Sequence, residues 1–378
     1  MRVAVYLDQA FWTDGEDVFA ARSFVEFLGP LAARFDDLVV TARLSPKPAD
    51  SHYKLPAPAR FEALPHYGSA ASVREVGLAM RDTMRRFGSI LDQVDAVWLL
   101  GPHPFALAFA RLAARKGKRV VLGVRQDFPA YVAGRHPRRP DLRLLATVLE
   151  RAFRHQARRH PVIAVGPELA SHYADAIALL EIYVSLIAPA EVLPPETVDR
   201  RDYSGTVRLL SVGRLDPEKN PLQLIDVIAG LDERWHLTIC GDGPLEPEVR
   251  SAIEARGLQE RISLRGHVPM GDELLAVYRE SHLLLHVSLT EGFPQVLLES
   301  FAAALPTVAT DVGGIAAAAG PAVALIPAGD APAAIQALER LLGDPAERRA
   351  LVDAGNALVR RHTLDSETRR VAEFIAQT

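Results

Sequence analysis

The chain has only one cysteine, Cys240, among its 378 residues. A single thiol excludes a disulfide within the chain and a zinc site made of several cysteines. The sequence also contains no D-x-D, H-E-x-x-H or G-x-G-x-x-G motif. The first two absences leave no indication of a bound metal, and the third excludes the classical dinucleotide-binding loop. We therefore expect neither a metal nor a resident cofactor.

Neither sign of charge dominates the chain. There are 43 lysines and arginines against 47 acidic residues, and the formal net charge is -4. A general nucleic-acid binder is usually basic, so this class of protein is not favoured. Hydrophobic residues make up 49% of the chain, which suits a globular protein long enough for two domains with separate cores.

Long uninterrupted apolar segments are also scarce. The longest charge-free stretch, 312–329, is broken by glycines and prolines that suit loops better than a membrane-spanning helix. The first residues, MRVAVYLDQ, alternate like a strand and lack the features of a secretory signal. We expect a cytoplasmic protein with at most peripheral membrane contact. The basic stretch 135–160 is either a solvated helix face or a surface that attracts an anionic acceptor or lipid.

Apolar runs alternate with helical patterns along almost the whole chain. Near-continuous apolar strands of this kind are typical of parallel sheets covered by helices on both faces. Two such series predict an α/β protein of two doubly wound domains, covering 1–195 and 205–361, with a C-terminal helix at about 362–378 that joins the first domain. The predicted strands are 2–7, 37–44, 95–100, 119–124, 161–166, 181–187, 207–212, 236–240, 261–266, 282–288, 306–310 and 322–327. The predicted helices of the first half include 16–33, 70–92, 104–115 and 140–158.

Ligands of doubly wound domains bind beyond the carboxyl ends of the strands, so the loops that follow the strands of the second series are the candidate binding loops. The loop VGRLDPEKNP offers two cations, Arg214 and Lys219, and Gly213 allows close backbone approach to a diphosphate. Taken alone, the loop is more typical of a solvated turn with an incidental arginine and lysine. The loop GDGPLEP is a tight turn. In LRGHV, the backbone of His267 and Val268 is able to meet the edge of a planar base.

The fourth loop, TEGFPQVLLES, places Glu291 before a helix and Glu299 inside its apolar run. An unpaired buried carboxylate costs several kcal/mol on transfer scales, so Glu299 needs a partner. That partner is either an internal arginine or backbone amides, or the hydroxyls of a bound ligand. The start of the helix is suited to phosphate through the backbone N–H groups of Gln295, Val296 and Leu297. Together the four loops predict a nucleoside-diphosphate ligand.

In this order, the motifs SVGRLDPEKNP, GDGPLEP, LRGHV and TEGFPQVLLESFAAALPTVATDVGGI resemble the retaining GT-B glycosyltransferases of family four. The match covers roughly 205–330. The resemblance implies two Rossmann-like domains facing a cleft and a nucleoside-diphosphate sugar as co-substrate, with no metal. It implies an acceptor on the first domain, which is a saccharide, a lipid-linked molecule or a small molecule.

The resemblance also implies roles for these residues. Arg214 and Lys219 correspond to the basic pair on the donor diphosphate, and Glu299 to the residue that holds the ribose hydroxyls. Glu291 corresponds to the residue that orients the transferred sugar. The backbone amides that assist it belong to Gly292, Phe293 and the Pro294-Gln295 segment, although Pro294 has no N–H to donate.

The first half departs from the family pattern. The loop after the first strand carries Gly15 alone instead of a Gly-Gly pair, and Arg125 stands where the family has a histidine near the reacting sugar. His103 is the nearest alternative, so both are candidate catalytic residues. Two other functions stay open: an epimerase or hydrolase using Asp127, His103 and Glu16, and a non-catalytic partner of a related enzyme.

Overall fold

The computed structural model describes residues 1–48, 53–67, 73–136 and 138–378. They form two compact units, of which unit 1 comprises residues 1–184 and 365–378 and unit 2 comprises residues 185–364. Each unit is an α/β structure with its own sheet, which confirms the predicted fold class.

The sheet of unit 1 is parallel in the order β5-β3-β1-β6-β7-β8-β9, and β2 and β4 extend it in antiparallel fashion. Its strands are β1 (Arg2–Asp14), β2 (Asp17–Ala20), β3 (Asp37–Leu44), β4 (Tyr53–Lys54), β5 (Arg60–Leu64), β6 (Ala96–Gly101), β7 (Arg119–Val124), β8 (Val162–Val165) and β9 (Leu179–Ile182). Its first six helices are α1 (Phe24–Ala32), α2 (Val73–Leu91), α3 (Pro104–Arg115), α4 (Phe128–Arg135), α5 (Pro140–Ala157) and α6 (Pro167–His172).

The predicted helix 16–33 is wrong in its first part. Residues 17–20 form β2, which pairs antiparallel with the second half of β1, and the helix begins only at Phe24. The loop expected after the first strand is therefore a β-hairpin, with Gly15 at a φ of +59° in its turn. The pairing of β1 with β3 shifts register between Tyr6 and Ala10, which marks a bulge. The predicted strand 181–187 is displaced, since β9 ends at Ile182. Residues 70–72 of the predicted helix 70–92 lie outside the described residues.

The sheet of unit 2 is entirely parallel, in the order β12-β11-β10-β13-β14-β15. Its strands are β10 (Val207–Val212), β11 (Trp235–Cys240), β12 (Ile262–Leu264), β13 (Leu283–His286), β14 (Thr307–Thr310) and β15 (Ala324–Ile326). Its helices are α7 (Pro221–Gly230), α8 (Glu246–Ala255), α9 (Asp272–Glu280), α10 (Gln295–Ala302), α11 (Ile315–Ala319), α12 (Ala331–Gly343) and α13 (Pro345–Arg361). Short 3-10 helices cover Pro189–Glu191, Pro195–Arg200, Pro217–Lys219 and Gly320–Ala322.

The last helix, α14 (Leu364–Gln377), returns the chain to unit 1. Glu367 on this helix is fully buried and accepts a hydrogen bond of 3.2 Å from the backbone N–H of Tyr183. Arg119 donates to the carbonyl of Ala376 over 2.6 Å, which fixes the far end of the helix to β7. The final residues are thus an integral part of unit 1.

Each unit has its own hydrophobic core. In unit 1, the buried rings of Phe87, Phe105 and Phe109 pack between the sheet and its helices. In unit 2, β10, β11 and β13 are buried along almost their whole length and contact α7, α8 and α12. Complete burial of one such side chain contributes roughly 1.5–3 kcal/mol, so the sheets are rigid supports for the loops at their ends.

Candidate active site

The order of the strands in unit 2 reverses between β10 and β13, the two central strands. In open parallel sheets, ligands bind beyond the carboxyl ends of the strands at this switch point. The two loops that leave it are 213–220 after β10 and 287–294 after β13. They carry Arg214, Lys219 and Glu291, three of the predicted site residues.

Lys219 and Glu291 form an ion pair across the switch point, in which the ammonium of Lys219 donates to Oε1 of Glu291. The same oxygen lies 3.1 Å from Nε2 of His286, at the end of β13. The side chain of Glu291 is 10% exposed and that of Lys219 is 22% exposed. Burial opposes ionisation of Glu291, but Lys219 and His286 outweigh it and hold the pKa of the carboxyl below its usual value. Glu291 is therefore a carboxylate at neutral pH.

Arg214 is held by two buried carboxylates of its own loop. Its guanidinium donates to Oδ2 of Asp216 and, over 3.2 Å, to Oε1 of Glu218. These two acidic side chains are only 3% and 5% exposed, whereas that of Arg214 is 45% exposed. A guanidinium has five N–H donors, so Arg214 keeps donors for a ligand while Asp216 and Glu218 hold it in place.

The loops after β10, β11 and β12 are joined through their backbones. Gly213 donates to the carbonyl of Cys240 over 3.0 Å, and Leu215 to that of Asp242 over 2.7 Å. Gly241 donates to the carbonyl of Gly266 over 2.7 Å. A Cβ at Gly241 would lie 1.9 Å from the carbonyl oxygen of Gly213, so only glycine permits this approach. The turn GDGPLEP is thus the support of the Arg214 loop.

The loop of Glu291 is fixed to its neighbours in the same manner. Leu289 donates its backbone N–H to the carbonyl of Glu218 over 2.8 Å, and the hydroxyl of Ser288 donates to the same oxygen over 3.0 Å. From the other side, the hydroxyl of Thr310 donates to the carbonyl of Ser288 over 2.6 Å. These bonds fix the distance between the two loops and so preorganise the Lys219–Glu291 pair.

Glu299 is buried in the middle of α10 and is 6% exposed. Its partner is the hydroxyl of Tyr278 on α9, which donates to Oε2 over 2.6 Å. Among the described residues, Tyr278 takes the place that the sequence analysis gave to an internal arginine or backbone amides, and the alternative of a ligand hydroxyl stays a prediction. Burial raises the pKa of Glu299 to about 7, although the hydrogen bond from Tyr278 acts in the opposite direction.

The remaining predicted donor residues lie on the same edge of unit 2. Gly292 accepts a hydrogen bond of 3.1 Å from the N–H of Gly314, which ties the start of α10 to the loop after β14. Phe293 is 8% exposed. Pro294 is the N-cap residue of α10, and Gln295 and Val296 begin the helix, both half-buried. His267 and Val268 follow β12, with Val268 buried.

Comparison with known proteins supports the same family. Residues 199–357 match the sequence profile described as glycosyl transferases group 1. The GPI3 subunit of phosphatidylinositol N-acetylglucosaminyltransferase from Saccharomyces cerevisiae is 31% identical over 125 residues, which are 32% of this chain and 27% of that protein. D-inositol 3-phosphate glycosyltransferase from Corynebacterium glutamicum is 36% identical over 149 residues, 36% of this chain and 35% of that protein.

Among solved structures, HepE from Anabaena in complex with UDP superposes over 100% of both chains with a TM-score of 0.72 at 16% identity. The part of the chain that matches this family, residues 199–357, lies within unit 2. Its fold is the GT-B fold, which it shares with HepE and with WaaG, a glycosyltransferase involved in lipopolysaccharide biosynthesis. This chain spans about a quarter of the length of the yeast relative (27%) and about a third of the bacterial one (35%).

In unit 1, His103 is the N-cap residue of α3 and is 4% exposed. Its Nδ1 accepts the backbone N–H of Phe105 over 3.3 Å and lies 2.9 Å from the hydroxyl of Tyr6. Nε2 lies 3.2 Å from Oδ2 of Asp8, and Tyr67 donates to Oδ1 of Asp8 over 2.7 Å. Since Nδ1 accepts, we assign the proton of the neutral ring to Nε2. Burial lowers the pKa of His103, which favours this neutral form.

Arg125 follows β7, and its guanidinium lies 4.5 Å above the ring of Phe24. Burial, followed by the charge of Arg22, lowers the pKa of Arg125 to about 10, so it is still a cation at neutral pH. Asp127 caps α4 by accepting the N–H of Ala130 over 2.8 Å. Glu16 is exposed in the turn between β1 and β2.

The sequence pattern missed several polar residues of these sites. His286 contacts Glu291, Tyr278 contacts Glu299, and Asp8 and Tyr67 surround His103. Two of them carried a signal in the sequence. His286 interrupts the apolar run LLLHVS, and Asp8 ends the apolar part of the first strand. A polar residue at the carboxyl end of a buried strand is a site candidate in this fold. Tyr278 and Tyr67 gave no comparable signal.

Proposed function

We propose that this protein is a glycosyltransferase that transfers a sugar from a nucleoside-diphosphate sugar to a hydroxyl group of an acceptor, with retention of configuration and without a metal. The observation that carries the proposal is the Lys219–Glu291 ion pair at the switch point of unit 2, with Arg214 on the same loop as Lys219. Support comes from HepE, a protein of the same fold that was solved with UDP.

In this proposal Arg214 and Lys219 bind the diphosphate and stabilise the charge that develops on it as it leaves. Lys219 has three N–H donors, of which the ion pair with Glu291 uses one. Cations fixed in advance by buried carboxylates need little reorganisation when the charge appears, and such preorganised groups are effective in electrostatic catalysis. The departing phosphate then accepts the proton of the attacking hydroxyl on the same face of the sugar, which accounts for retention.

Glu291 orients the transferred sugar by accepting hydrogen bonds from its hydroxyls. It is suited to this role because Lys219 and His286 keep it ionised, and an ionised carboxylate forms stronger hydrogen bonds than a neutral one. The backbone of Gly292, Phe293 and Gln295 assists at the start of α10. Glu299 holds the ribose, and the backbone of His267 and Val268 meets the base.

The acceptor binds to unit 1, where His103 and Arg125 are the candidate residues near the reaction. The names of the two relatives indicate different acceptors, so a saccharide, a lipid-linked molecule and a small molecule all stay candidates for this chain. His103 is held in one orientation by Asp8 and the cap of α3, which suits a positioning role.

A panel of nucleoside diphosphates and nucleotide sugars tests the donor site by thermal unfolding, since a ligand of the native state raises stability by mass action. Stabilisation should fall in Arg214→Ala and Lys219→Ala, and persist in Arg85→Gln, an exposed control on α2. No stabilisation by any member of the panel would refute the proposal. Turnover with acceptor extracts tests the reaction. Free sugar or an epimer formed without acceptor would instead indicate a hydrolase or epimerase, and binding without turnover a non-catalytic partner.

We also propose that α5 contacts an anionic membrane surface. Leu144 and Val148 are 67% and 51% exposed, one helical turn apart, and Arg151 continues the same stripe. Basic residues near such a surface contribute about 1 kcal/mol each. Among the described helices, none combines the length and apolarity that crossing a membrane requires. Sedimentation with vesicles, with and without anionic lipid, distinguishes membrane contact from a merely solvated face.

A further inference from the structure

Two arginines, Arg22 and Arg125, lie together at the carboxyl edge of the unit 1 sheet. Arg125 directly follows β7, and Arg22 precedes α1 by two residues. The ring of Phe24, the first residue of α1, lies 4.5 Å below the guanidinium of Arg125. The charge of Arg22 acts on Arg125 strongly enough to lower its pKa, second only to burial. Both observations place the two cations in one neighbourhood.

Within the described part of the chain, neither arginine forms an ion pair with a carboxylate. Several other arginines of unit 1 differ in this respect: Arg60, for example, forms a two-point bond with Asp37. Asp8 attracts Arg125 electrostatically. Both oxygens of Asp8 are however engaged elsewhere, Oδ1 by the hydroxyl of Tyr67 and Oδ2 by His103.

Two neighbouring cations, one of them largely withdrawn from water, repel each other and are stabilised by an anion. The planar fork of a guanidinium matches the oxygens of a phosphate, and two forks are able to bind different oxygens of one phosphate. A doubly charged phosphate also balances two positive charges, whereas a carboxylate balances one.

A second observation concerns Gln9, the residue next to Asp8, whose side-chain amide lacks a polar partner in the part of the chain that the structure describes. Gln9 follows Asp8 in the bulge of β1 and is 8% exposed. Among the described residues, neither Oε1 nor Nε2 of its side-chain amide has a hydrogen-bond partner. A buried amide without partners is unfavourable, by roughly 1–3 kcal/mol in mutational data, and a polar ligand with hydroxyl groups would satisfy it.

We propose that Arg22 and Arg125 bind a phosphate group of the acceptor, so that the acceptor is a phosphorylated, hydroxyl-bearing molecule. The assignment of this phosphate to the acceptor rests on the proposed glycosyltransferase function. The anion site itself depends only on the residues of unit 1. Arg125, which stands where the family has a histidine, thereby gains a role in acceptor specificity.

Isothermal titration with inorganic phosphate at constant ionic strength tests the site in the full chain. Arg125→Gln and Arg22→Gln should each weaken phosphate binding about tenfold, because a charge-assisted bidentate contact is lost. Arg125→Lys, which keeps the charge without the fork, should lie in between. Arg85→Gln on the exposed face of α2 is the matched control and should bind phosphate like the wild type. Arg22 is exposed, so its variant serves if Arg125→Gln fails to fold.

The donor site is followed separately, since phosphate also has access to Arg214. Arg214→Ala should retain the phosphate binding that depends on Arg125, and Arg125→Gln should retain the binding of nucleoside diphosphates. If the wild type binds inorganic phosphate but no nucleotide, only the donor proposal is refuted and the anion site stands. Phosphate binding that is absent from the wild type, or unchanged in both Arg22→Gln and Arg125→Gln, would overturn the anion site.

The phosphate of the acceptor belongs either to a soluble molecule or to a lipid headgroup. Vesicles containing phosphatidic acid distinguish the two sources. Sedimentation that weakens in Arg125→Gln supports a lipid headgroup in the site. Sedimentation that is independent of Arg125, together with an Arg125-dependent affinity for inorganic phosphate, supports a soluble phosphorylated acceptor.

Discussion

Glu299 should make nucleotide binding depend on pH. In the free protein, burial raises the pKa of this carboxyl to about 7 from an ordinary value of 4.5. Ribose hydroxyls donate hydrogen bonds to a carboxylate and so favour its ionised form, which lowers the pKa in the complex. Nucleotide binding below about pH 7 must therefore release a proton, and affinity must rise with pH up to this value.

The size of the effect follows from the fraction of ionised carboxyl. At pH 6, one unit below the pKa, only about one Glu299 in ten is ionised, and at pH 8 almost all are. If the complex restores the ordinary pKa, the affinity for a nucleoside diphosphate at pH 6 is about tenfold lower than at pH 8. The corresponding free energy is roughly 1.4 kcal/mol.

Isothermal titration at several pH values measures this ratio, and buffers of different ionisation enthalpy report the protons released. The terminal phosphate of the nucleotide also titrates, so Glu299→Gln is the control: it keeps the size of the side chain and removes only the ionisation. The ratio of the affinities at pH 8 and pH 6 should be about ten times larger in the wild type than in Glu299→Gln. Tyr278→Phe removes the hydroxyl that donates to Glu299 over 2.6 Å and should shift the affinity curve to higher pH. If the wild type and Glu299→Gln show the same ratio of affinities at pH 8 and pH 6, and release the same number of protons on binding, Glu299 is not a carboxylate that binds the ribose.

Four further perturbations test the site, its support and the proposed membrane contact. Lys219→Ala removes the ammonium group that pairs with the buried carboxylate of Glu291 and leaves the contact with His286. The free energy of unfolding in urea should therefore fall by about 3 kcal/mol. Glu291→Gln should lower turnover more than the affinity for a nucleoside diphosphate, and an equal loss of both would contradict its role on the sugar. Gly241→Ala forces a Cβ against a backbone oxygen, so it should lower the free energy of unfolding by at least about 2 kcal/mol and weaken nucleotide binding. Gly205→Ala, with open space around it, should change neither. Leu144→Ser should weaken sedimentation with anionic vesicles without lowering stability, because the side chain is 67% exposed.

The sheet of unit 2 was predictable because its strands are continuous apolar runs separated by Gly- and Pro-containing turns. The prediction for 207–212 coincides with β10, and each end of the other strands differs from its prediction by one or two residues or not at all. Parallel sheets bury both faces of each strand, and this produces a strong signal in the sequence. The position of the donor loops then followed from topology alone, which is why Arg214, Lys219 and Glu291 were found together.

The hairpin at the start of unit 1 was missed although the sequence contains a signal for it. Asp14 and Gly15 form a turn dipeptide between two segments rich in aromatic and β-branched residues, and Gly15 adopts a positive φ. The apolar residues of 16–33 fit a helical period as well as a strand, and the helical interpretation extended too far. Segments of four residues, such as β2, carry too little periodicity to distinguish the two.

The partner of Glu299 was beyond sequence analysis for a different reason. Burial of the carboxylate could be inferred from the apolar run around it, but Tyr278 lies 21 residues earlier on another helix. Only the packing of α9 against α10 brings the two side chains together. Contacts between side chains of separate elements depend on tertiary structure, and no local pattern encodes them.

The path of the chain has a practical consequence for engineering. Unit 2 is one uninterrupted segment inserted between residue 184 and residue 365, while unit 1 needs the closing helix α14 to complete its surface. A hybrid made to test the proposed donor role of unit 2 would therefore exchange the whole insert at these two splice points and leave the last fourteen residues in place. A simple exchange of the C-terminal half would remove a helix that the recipient half requires.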